Sequence, residues 1–366
     1  MKKYSINSFF ICRCQRENLG DLIINKMLVD ELCRFGVVYI DANTMPEKFK
    51  SHLFENPNAI DIWSYNNCKK NWISRQLFLF RFFKNNRIRI ITSSPGPGYL
   101  KKSYSLLSSV ILRVRRFLSS KYNIYQIDIG SCCSNFAFHN SRINDNYSDK
   151  YYFRSYESSK YYKSIYPNKS VDYIPDLSFL IHYYIQKKQV KKRIAVLDFR
   201  VIENNKNDLI EWVGKIVNAL VQQSITVIFY YQVELDRQFT ELLYDSYKHL
   251  TNVYIHKELV WYENLSFFED KLFVISNRMH SLLTGIAFGA YPICLYHESA
   301  STIKIKHSFS SYFSSNIPII FREGDIPESS FDELLNQYSQ QIDAEFIYNS
   351  KLCRSTIDNI ISTIKC

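Results

Sequence analysis

Short apolar runs alternate along the chain with longer stretches in which apolar residues recur every three or four positions. In the first such pair, the run SINSFFICR precedes DLIINKMLVDELCRFG, where Ile23, Ile24, Met27 and Leu28 have helical spacing. The first run predicts a strand and the second predicts a helix. Strands that alternate with helices are typical of parallel sheets with crossover helices. The pattern therefore predicts an α/β fold.

A polar segment, IQKKQVKKR at residues 185–193, separates two series of such strands and helices. We therefore expect two Rossmann-like domains that face each other across a cleft, at residues 1–186 and 187–345, followed by a C-terminal helix at 346–366. Ligands of open parallel sheets bind beyond the carboxyl ends of the strands. The cleft between the domains is the expected ligand site.

Composition and charge narrow the function classes. With 366 residues, 46% of them hydrophobic, the chain can bury a full core. A formal net charge of +11 favours nucleic acid, a phosphorylated metabolite or an acidic membrane as partner, but no nucleic-acid-binding motif is present, so nucleic acid is not expected. The nine cysteines lack metal-ligand spacing, and we interpret them as reduced thiols of a cytoplasmic protein without a metal site.

Two segments mix Phe, Leu and Val with Arg and Lys, at residues 72–89 and 110–122. Such a helix can lie on an anionic bilayer, or it can be an ordinary core-facing helix with a solvated basic side. The sequence has no signal-peptide pattern and no run of about 18 uninterrupted apolar residues. We expect a cytoplasmic protein, with contact at the inner face of the membrane as the alternative.

The stretch RENLGDLIIN places Asn18, Gly20 and Asp21 where the first strand gives way to the first helix. A glycine lets the backbone approach a ligand closely, and Asp21 can cap the helix. Capping alone would also explain the stretch. It matches neither a dinucleotide-binding fingerprint nor a P-loop.

Two further stretches lie at strand ends in the first half of the chain. In YYFRSYESSKYY, Arg154 is placed to bind a carboxylate or phosphate through two parallel hydrogen bonds, or to form a surface ion pair with Glu157. Ser158 is interpreted as the start of the next helix. In YIPDLSFL, Asp176 is interpreted as a structural turn residue.

The stretch VISNRMHSLLTG joins an apolar strand to an apolar helix. Ser276 and Asn277 are natural helix caps, and we place Arg278 and His280 in the first helical turn. Cations there are opposed by the helix dipole unless an anion neutralises them. Free backbone N–H groups of the same turn would add donors to that anion. The stretch therefore predicts an anion site, with an ordinary buried histidine as the alternative.

Taken in order, these stretches resemble the motifs of the polysaccharide pyruvyltransferase family. The matching segments run along the chain as follows: Asn18–Asp21, Arg154–Ser158, Pro175–Phe179, Ser276–His280 and Gly289–Pro292. The segment IDIGSCCSNFAF at residues 127–138 resembles the family's glycine-rich loop in a degraded form. The chain departs from the family at Ser155, where an acidic residue is usual, and in the spacing from Gly289 to Pro292, which is one residue longer.

The resemblance implies a glycosyltransferase-B-like fold and phosphoenolpyruvate as donor and co-substrate, with no further cofactor. It implies a sugar or lipid-linked oligosaccharide acceptor on the N-terminal domain, in capsule, O-antigen or cell-wall polymer synthesis. The expected roles are a general acid or phosphate partner (His280), an acceptor base (Asp21), donor contacts (Arg154, Arg278, Ser276 and Lys304) and an acceptor loop (Asn18 and Gly20).

Two other functions stay open from the sequence. The departures at Ser155 and at Gly289–Pro292 are compatible with the same fold using a nucleotide-sugar donor. The basic charge is also compatible with a non-enzymatic scaffold at the membrane surface in a polysaccharide assembly complex.

Overall fold

A computed structural model describes most of the chain. The described residues are 6–15, 17–64, 79–80, 88–97, 106–132, 148–187, 190–201, 206–297, 303–322, 324–327 and 329–365. The candidate membrane segment at 72–89 lies outside these residues except at 79–80 and 88–89. Residues 133–138 of the glycine-rich-loop candidate also lie outside them. The described chain divides into two compact units.

The first unit comprises Met1–Arg16, Ile24–Leu177 and Leu352–Cys366. Its elements are β1 Asn7–Ile11, α1 Leu19–Cys33, β2 Val38–Asp41, α2 Glu47–Leu53, β3 Ala59–Asp61, β4 Ile88–Ser93, β5 Gly96–Pro97, α3 Leu106–Lys121, β6 Tyr125–Cys132, β7 Lys150–Phe153, α4 Tyr156–Ile165 and β8 Ser170–Tyr173. The strand order is β3-β2-β1-β4-β6-β7-β8, with β5 beside β6, and the described strand pairs are parallel. Apolar side chains of β1 and β4, among them Phe9 and Ile91, form part of its core.

The second unit comprises Glu17–Ile23 and Ser178–Lys351. Its elements, after a 3-10 helix Leu177–Tyr183, are β9 Lys192–Asp198, α5 Lys206–Gln222, β10 Thr226–Phe229, α6 Arg237–Tyr247, β11 Val253–Ile255, β12 Lys271–Ser276, α7 Met279–Ala287, β13 Tyr291–Tyr296, α8 Ile303–Tyr312, β14 Ile320–Arg322 and α9 Phe331–Lys365. The strand order β11-β10-β9-β12-β13-β14 is parallel throughout. This order reverses direction between β9 and β12, as in a Rossmann sheet. The predicted α/β fold with two parallel sheets is confirmed.

The boundary between the units falls between Leu177 and Ser178, earlier than the predicted one at residue 186. The reason is aromatic packing inside the second unit. The ring of Phe179 lies 5.0 Å from that of Tyr312 and 4.7 Å from that of Phe346, measured between centroids. The chain has therefore joined the second core before the polar segment at 185–193 begins.

The predicted C-terminal helix at 346–366 is the second half of the longer helix α9. Residues of α9 up to Lys351 belong to the second unit, and those from Leu352 belong to the first. Within the first unit, Arg354 donates to Glu31 Oε1 at 2.6 Å and 3.1 Å. In the described part of the chain, no helix is both long enough and apolar enough to cross a membrane.

Candidate functional site

The carboxyl ends of β9 and β12 lie side by side, where the strand order of the second sheet reverses. The last four residues of each strand are buried and mostly apolar. Ser276 at the end of β12 pairs in register with Asp198 at the end of β9. Side chains that follow these strands must therefore meet at one edge of the sheet. This is the position at which open parallel sheets bind ligands.

Ser276 fixes the backbone at this edge. Its hydroxyl donates to the carbonyl oxygen of Asp198 at 2.5 Å and accepts from the N–H of Arg278 at 2.9 Å. The side chain is completely buried. These contacts make Ser276 a positioning residue for Arg278, and its predicted contact with the donor stays a prediction.

Asn277 holds a second arginine beside the first. Its side chain accepts from the backbone N–H of Arg200 at 2.9 Å and donates to the carbonyl oxygen of Arg200 at 2.8 Å. Burial lowers the pKa of the Arg200 guanidinium, and the positive charge of Arg278 lowers it further. Two guanidinium groups therefore lie close together at the carboxyl edge of the sheet.

Arg278 is the N-cap residue of α7, so it lies one residue before the first turn in which we placed it. Its backbone is extended, and its guanidinium forms an ion pair with Asp236, whose side chain is 7% exposed against 13% for Arg278. The anion that neutralises Arg278 in the protein is thus a carboxylate of the same unit. His280 lies within the first turn, as predicted from the sequence.

The carboxyl groups of Asp198 and Asp236 complete this cluster. Asp198 is fully buried and accepts a hydrogen bond from the hydroxyl of Ser281. Burial raises the pKa of the Asp198 carboxyl to about 7, and the nearby negative charge of Asp236 adds to the increase, against the lowering effect of Arg278. Burial also raises the pKa of Asp236. Asp198 can therefore gain or lose a proton near neutral pH.

Neither carboxylate was a candidate from the sequence, although one signal was available. Asp198 ends an apolar strand, RIAVLD, and an acidic residue at the carboxyl end of a buried parallel strand lies at the ligand-binding edge. Asp236 lies in a short 3-10 turn after β10, where its sequence context gives no comparable signal.

The segment Glu17–Ile23 belongs to the second unit, although the rest of α1 belongs to the first. The side chain of Asn18 caps α1, since its Oδ1 accepts from the N–H of Gly20 at 3.0 Å. Asp21, which we expected to provide the cap, lies in the first turn of the helix instead. Asn18 also forms an isolated antiparallel bridge with Val233.

Gly20 lies directly against the imidazole of His280. A Cβ atom added at Gly20 would be 2.5 Å from both Cβ and Cγ of His280, and closer still to Nδ1. Any side chain at this position would overlap the imidazole. The structure therefore brings together two of the sequence motifs, Asn18–Asp21 and Ser276–His280.

The two remaining predicted donor residues belong to other parts of the chain. Lys304 is in the first turn of α8, half-buried, directly after residues 298–302, which are outside the described part. Arg154 belongs to the first unit and is 3% exposed. Its guanidinium donates to Asp176 Oδ2 at 2.8 Å and to Cys132 Sγ at 3.3 Å. A buried ion pair thus joins two of the motifs, and Asp176 is a partner that the sequence did not anticipate.

Ser155 has a definite structural role. Its hydroxyl accepts from the N–H of Ser158 at 3.1 Å and caps α4, which begins at Tyr156, before the predicted start at Ser158. Aspartate and serine are both strong N-cap residues. The serine therefore preserves the capping function that an aspartate would provide at this position.

The residues from Gly289 to Pro292 lead from the end of α7 into β13. Gly289 ends α7 with a positive φ of 86°, and its N–H donates to the carbonyl oxygen of Ile286 at 2.8 Å. The strand β13 starts two residues later, at Tyr291.

Among the described residues, no group of three or more His, Cys, Asp or Glu side chains is arranged to hold a metal ion.

Two parallel sheets, each with a Rossmann-like strand order, define a fold that is shared with solved enzymes. A glycosyltransferase from Rickettsia africae ESF-5 is similar with a TM-score of 0.55 and 11% identity, covering 98% of both chains. HepE of Anabaena in complex with UDP and glucose is similar with a TM-score of 0.56 and 10% identity, covering 98% of both chains. A UDP-GlcNAc 2-epimerase from Neisseria meningitidis is similar with a TM-score of 0.55 and 10% identity, covering 98% of this chain and 99% of the epimerase chain. The protein therefore has the GT-B fold of glycosyltransferases and UDP-GlcNAc 2-epimerases.

Sequence comparison identifies the family within that class. The sequence model of the family described as "Polysaccharide pyruvyl transferase" matches residues 18–299, a range that begins at Asn18 and includes every motif named above. The chain belongs to the polysaccharide pyruvyl transferase family, and this membership indicates a transferase of polysaccharide biosynthesis. Among curated proteins, no sequence matches it.

Proposed function

We propose that the protein transfers a pyruvyl group from phosphoenolpyruvate to a sugar as a cyclic ketal, in the synthesis of a bacterial surface polysaccharide. The observation that carries this proposal is the placement of Arg278 and His280 at the start of α7, at the reversal point of the second sheet, with Gly20 packed on the imidazole. Phosphoenolpyruvate carries a carboxylate and a phosphate. Guanidinium groups and a helix N-terminus suit both anions.

The reaction requires one proton donor and one proton acceptor. A proton is added to the methylene carbon of phosphoenolpyruvate, and a sugar hydroxyl attacks the neighbouring carbon and releases its proton to a base. A second hydroxyl of the sugar then attacks the same carbon. The phosphate leaves with the electron pair of the broken C–O bond and takes up the proton of that hydroxyl. The products are the cyclic ketal and inorganic phosphate.

The residues are assigned to these steps by position. His280 is the proposed proton donor or phosphate partner, and Arg278 binds the donor anion, with Arg200 close by. Asp21 is the proposed base for the acceptor hydroxyl, because it lies one residue after Gly20 in the segment that contacts His280. Asn18 holds this segment through its cap.

The Asp236 carboxylate would compete with the donor anion for the Arg278 guanidinium, because these two side chains form an ion pair. The donor anion must share or replace the Asp236 carboxylate at the guanidinium. Arg154 and Lys304 are proposed as further donor contacts. Arg154 belongs to the first unit and donates a hydrogen bond to Asp176, and Lys304 lies in α8. Their contributions to donor affinity are measured in the experiment below.

The competing proposal is a glycosyltransferase that uses a nucleotide-sugar. One of its two motivations was the serine at position 155, and the structure gives that serine an N-cap function. HepE was solved with UDP, but an identity of 10% carries only the fold to this chain. The nucleotide-sugar function is therefore an outcome of the test below.

The test is titration calorimetry of the purified protein with phosphoenolpyruvate and with UDP. We expect binding of phosphoenolpyruvate, weakened about tenfold or more in Arg278→Ala because a charge-assisted hydrogen bond is lost. Arg193→Ala is the matched control, since Arg193 forms an exposed pair with Asp332 and such pairs contribute little. Arg154→Ala and Lys304→Ala are titrated alongside.

Turnover is measured as phosphate release with lipid-linked sugar acceptors. His280→Ala should slow release about a hundredfold or more while leaving the affinity for phosphoenolpyruvate nearly unchanged. Equal donor affinity in wild type and Arg278→Ala would contradict the assignment of Arg278. Binding of UDP without binding of phosphoenolpyruvate would replace the proposal with the nucleotide-sugar alternative.

A further inference from the structure

Helix α3 of the first unit presents a row of large apolar side chains to solvent. Val110, Val114 and Phe117, here called the apolar stripe, are four and three residues apart and so share one face of the helix. They are 48%, 42% and 67% exposed, respectively. Leu118, which is four residues after Val114 and therefore borders this stripe, packs against the core of the first unit. The helix is thus attached to the unit at the edge of the stripe, and the stripe itself is exposed.

Basic side chains accompany this stripe. Arg113, Arg116 and Lys121, here called the basic row, are all exposed on the same helix. The sequence of α3, LLSSVILRVRRFLSSK, contains no acidic residue. An amphipathic helix with apolar and basic exposed residues is typical of proteins that lie on an anionic membrane surface.

We propose that α3 is a docking surface for an anionic lipid bilayer. The apolar stripe enters the boundary between headgroups and acyl chains, and the basic row contacts lipid phosphates. This proposal is independent of the donor and acceptor of the reaction. It selects the membrane interpretation that the sequence left open for residues 110–122.

Other occupants fit the observations less well. In a symmetric dimer through α3, the two basic rows would face each other, and the like charges would oppose association. Nucleic acid would be held by the basic row through phosphate contacts, but such contacts give no role to an exposed Phe117 and its two valines. A lipid surface uses both the charge and the apolar stripe.

Each component has an expected contribution to binding. A basic residue near an anionic membrane strengthens binding by about fivefold, so reversing two of them should weaken it by well over tenfold. Removing the phenyl ring of Phe117 from the apolar boundary should weaken binding by about tenfold. The charge contribution should fall as the salt concentration rises.

The experiment is co-flotation of the full chain with vesicles of phosphatidylcholine, with and without phosphatidylglycerol. We expect binding only to the vesicles that contain phosphatidylglycerol, weakened in Phe117→Ser and in the double variant Arg113→Glu/Arg116→Glu. Tyr348→Ser, which removes an aromatic ring that is 65% exposed on α9, is the control for Phe117→Ser and should bind like wild type.

A second control separates the position of the charge from its amount. The double variant Lys160→Glu/Lys163→Glu changes the same charge on exposed positions of α4 in the same unit and should retain binding to within about fivefold. Thermal denaturation of every variant checks that the fold is retained. Phe117→Trp adds a direct readout, since a lipid-borne quencher should quench the new indole beyond the wild-type tryptophan background.

Three results would overturn the proposal. The first is unchanged vesicle binding in both Phe117→Ser and the Arg113→Glu/Arg116→Glu double variant. The second is concentration-dependent self-association in the absence of lipid that Phe117→Ser abolishes, which would identify α3 as an interface between copies. The third is tighter binding to duplex DNA than to anionic vesicles, with loss in the arginine variant and none in Phe117→Ser.

Discussion

Substitution of Gly20 by alanine tests whether the contact between the N-terminal motif and the imidazole of His280 is required for activity. The new Cβ atom would be 2.5 Å from two carbon atoms of His280, whereas carbon atoms in contact are separated by about 3.5 to 4.0 Å. The two groups must therefore separate by about 1 Å. A misplacement of about 1 Å in a catalytic group can reduce turnover about a hundredfold.

The effect on stability should be smaller than the effect on turnover. Alanine is more favourable than glycine in a helix by about 1 kcal/mol, and inserting a methyl group into a packed site costs about 1 to 3 kcal/mol. The net loss in the free energy of unfolding should therefore be about 0 to 2 kcal/mol. We expect folded protein with strongly reduced phosphate release.

The assay is phosphate release together with urea denaturation, in a double-mutant cycle. The three atoms nearest to the added Cβ all belong to the side chain of His280, so the stability cost of Gly20→Ala should disappear in the His280→Gly background. Gly214→Ala is the matched control in α5. The three atoms nearest to its added Cβ all belong to the end of the Tyr247 side chain, with Oη at 2.5 Å, and the substitution should leave turnover unchanged.

The reasoning would be refuted if Gly20→Ala released phosphate at the wild-type rate. An equal stability cost in the wild-type and His280→Gly backgrounds would show that the strain arises from other neighbours. Equal losses of turnover in Gly20→Ala and Gly214→Ala would point to a general effect on folding instead of a local effect on the imidazole.

Three further predictions concern the ion pair, the helix cap and the buried carboxyl group. Arg154→Ala should lower the free energy of unfolding by about 3 to 5 kcal/mol in urea denaturation, because it leaves Asp176 buried and charged. The Arg154→Ala/Asp176→Ala variant should recover part of this loss, and no recovery would contradict the pairing. Ser155→Ala should cost about 1 kcal/mol whereas Ser155→Asp should cost little, and equal losses would argue against the cap. The pKa of Asp198 is raised from 3.8 to about 7, so the folded state binds more protons than the unfolded state within this window, and stability should fall as the pH rises through it. Asp198→Asn should flatten that fall in denaturation curves recorded across the window, and an unchanged slope would contradict the raised pKa.

The fold was predictable because the apolar runs of the strands are short and separated by clear helical periodicity. The strands RIAVLD and KLFVIS, for example, stand out by their buried apolar residues. The unit boundary was not predictable, because it depends on the packing of Phe179 against Phe346, which is far away in sequence. A polar segment such as 185–193 marks solvent exposure, and exposure need not coincide with a change of core.

The candidate site was predictable only where local sequence violates a local rule. Arg278 and His280 stood out because cations at the start of a helix oppose its dipole. Asp236 contacts Arg278 from the 3-10 turn between β10 and α6, which is far away in sequence, so no local pattern could reveal it. Gly20 was recognised as a point of close approach, but its neighbour, His280, is set by tertiary structure.

The cluster at the end of β9 and β12 explains how cations are kept where an anionic substrate is expected. Two carboxyl groups, Asp198 and Asp236, accompany two guanidinium groups, Arg200 and Arg278. The Asp236 carboxylate neutralises Arg278 and removes the conflict with the helix dipole. The carboxyl of Asp198 has its pKa raised to about 7, so it can take up a proton when further negative charge arrives. Because each carboxyl group can give way to an anion, by displacement at Asp236 or by protonation at Asp198, the ion pairs of these arginines are compatible with the donor-binding role that we propose for them.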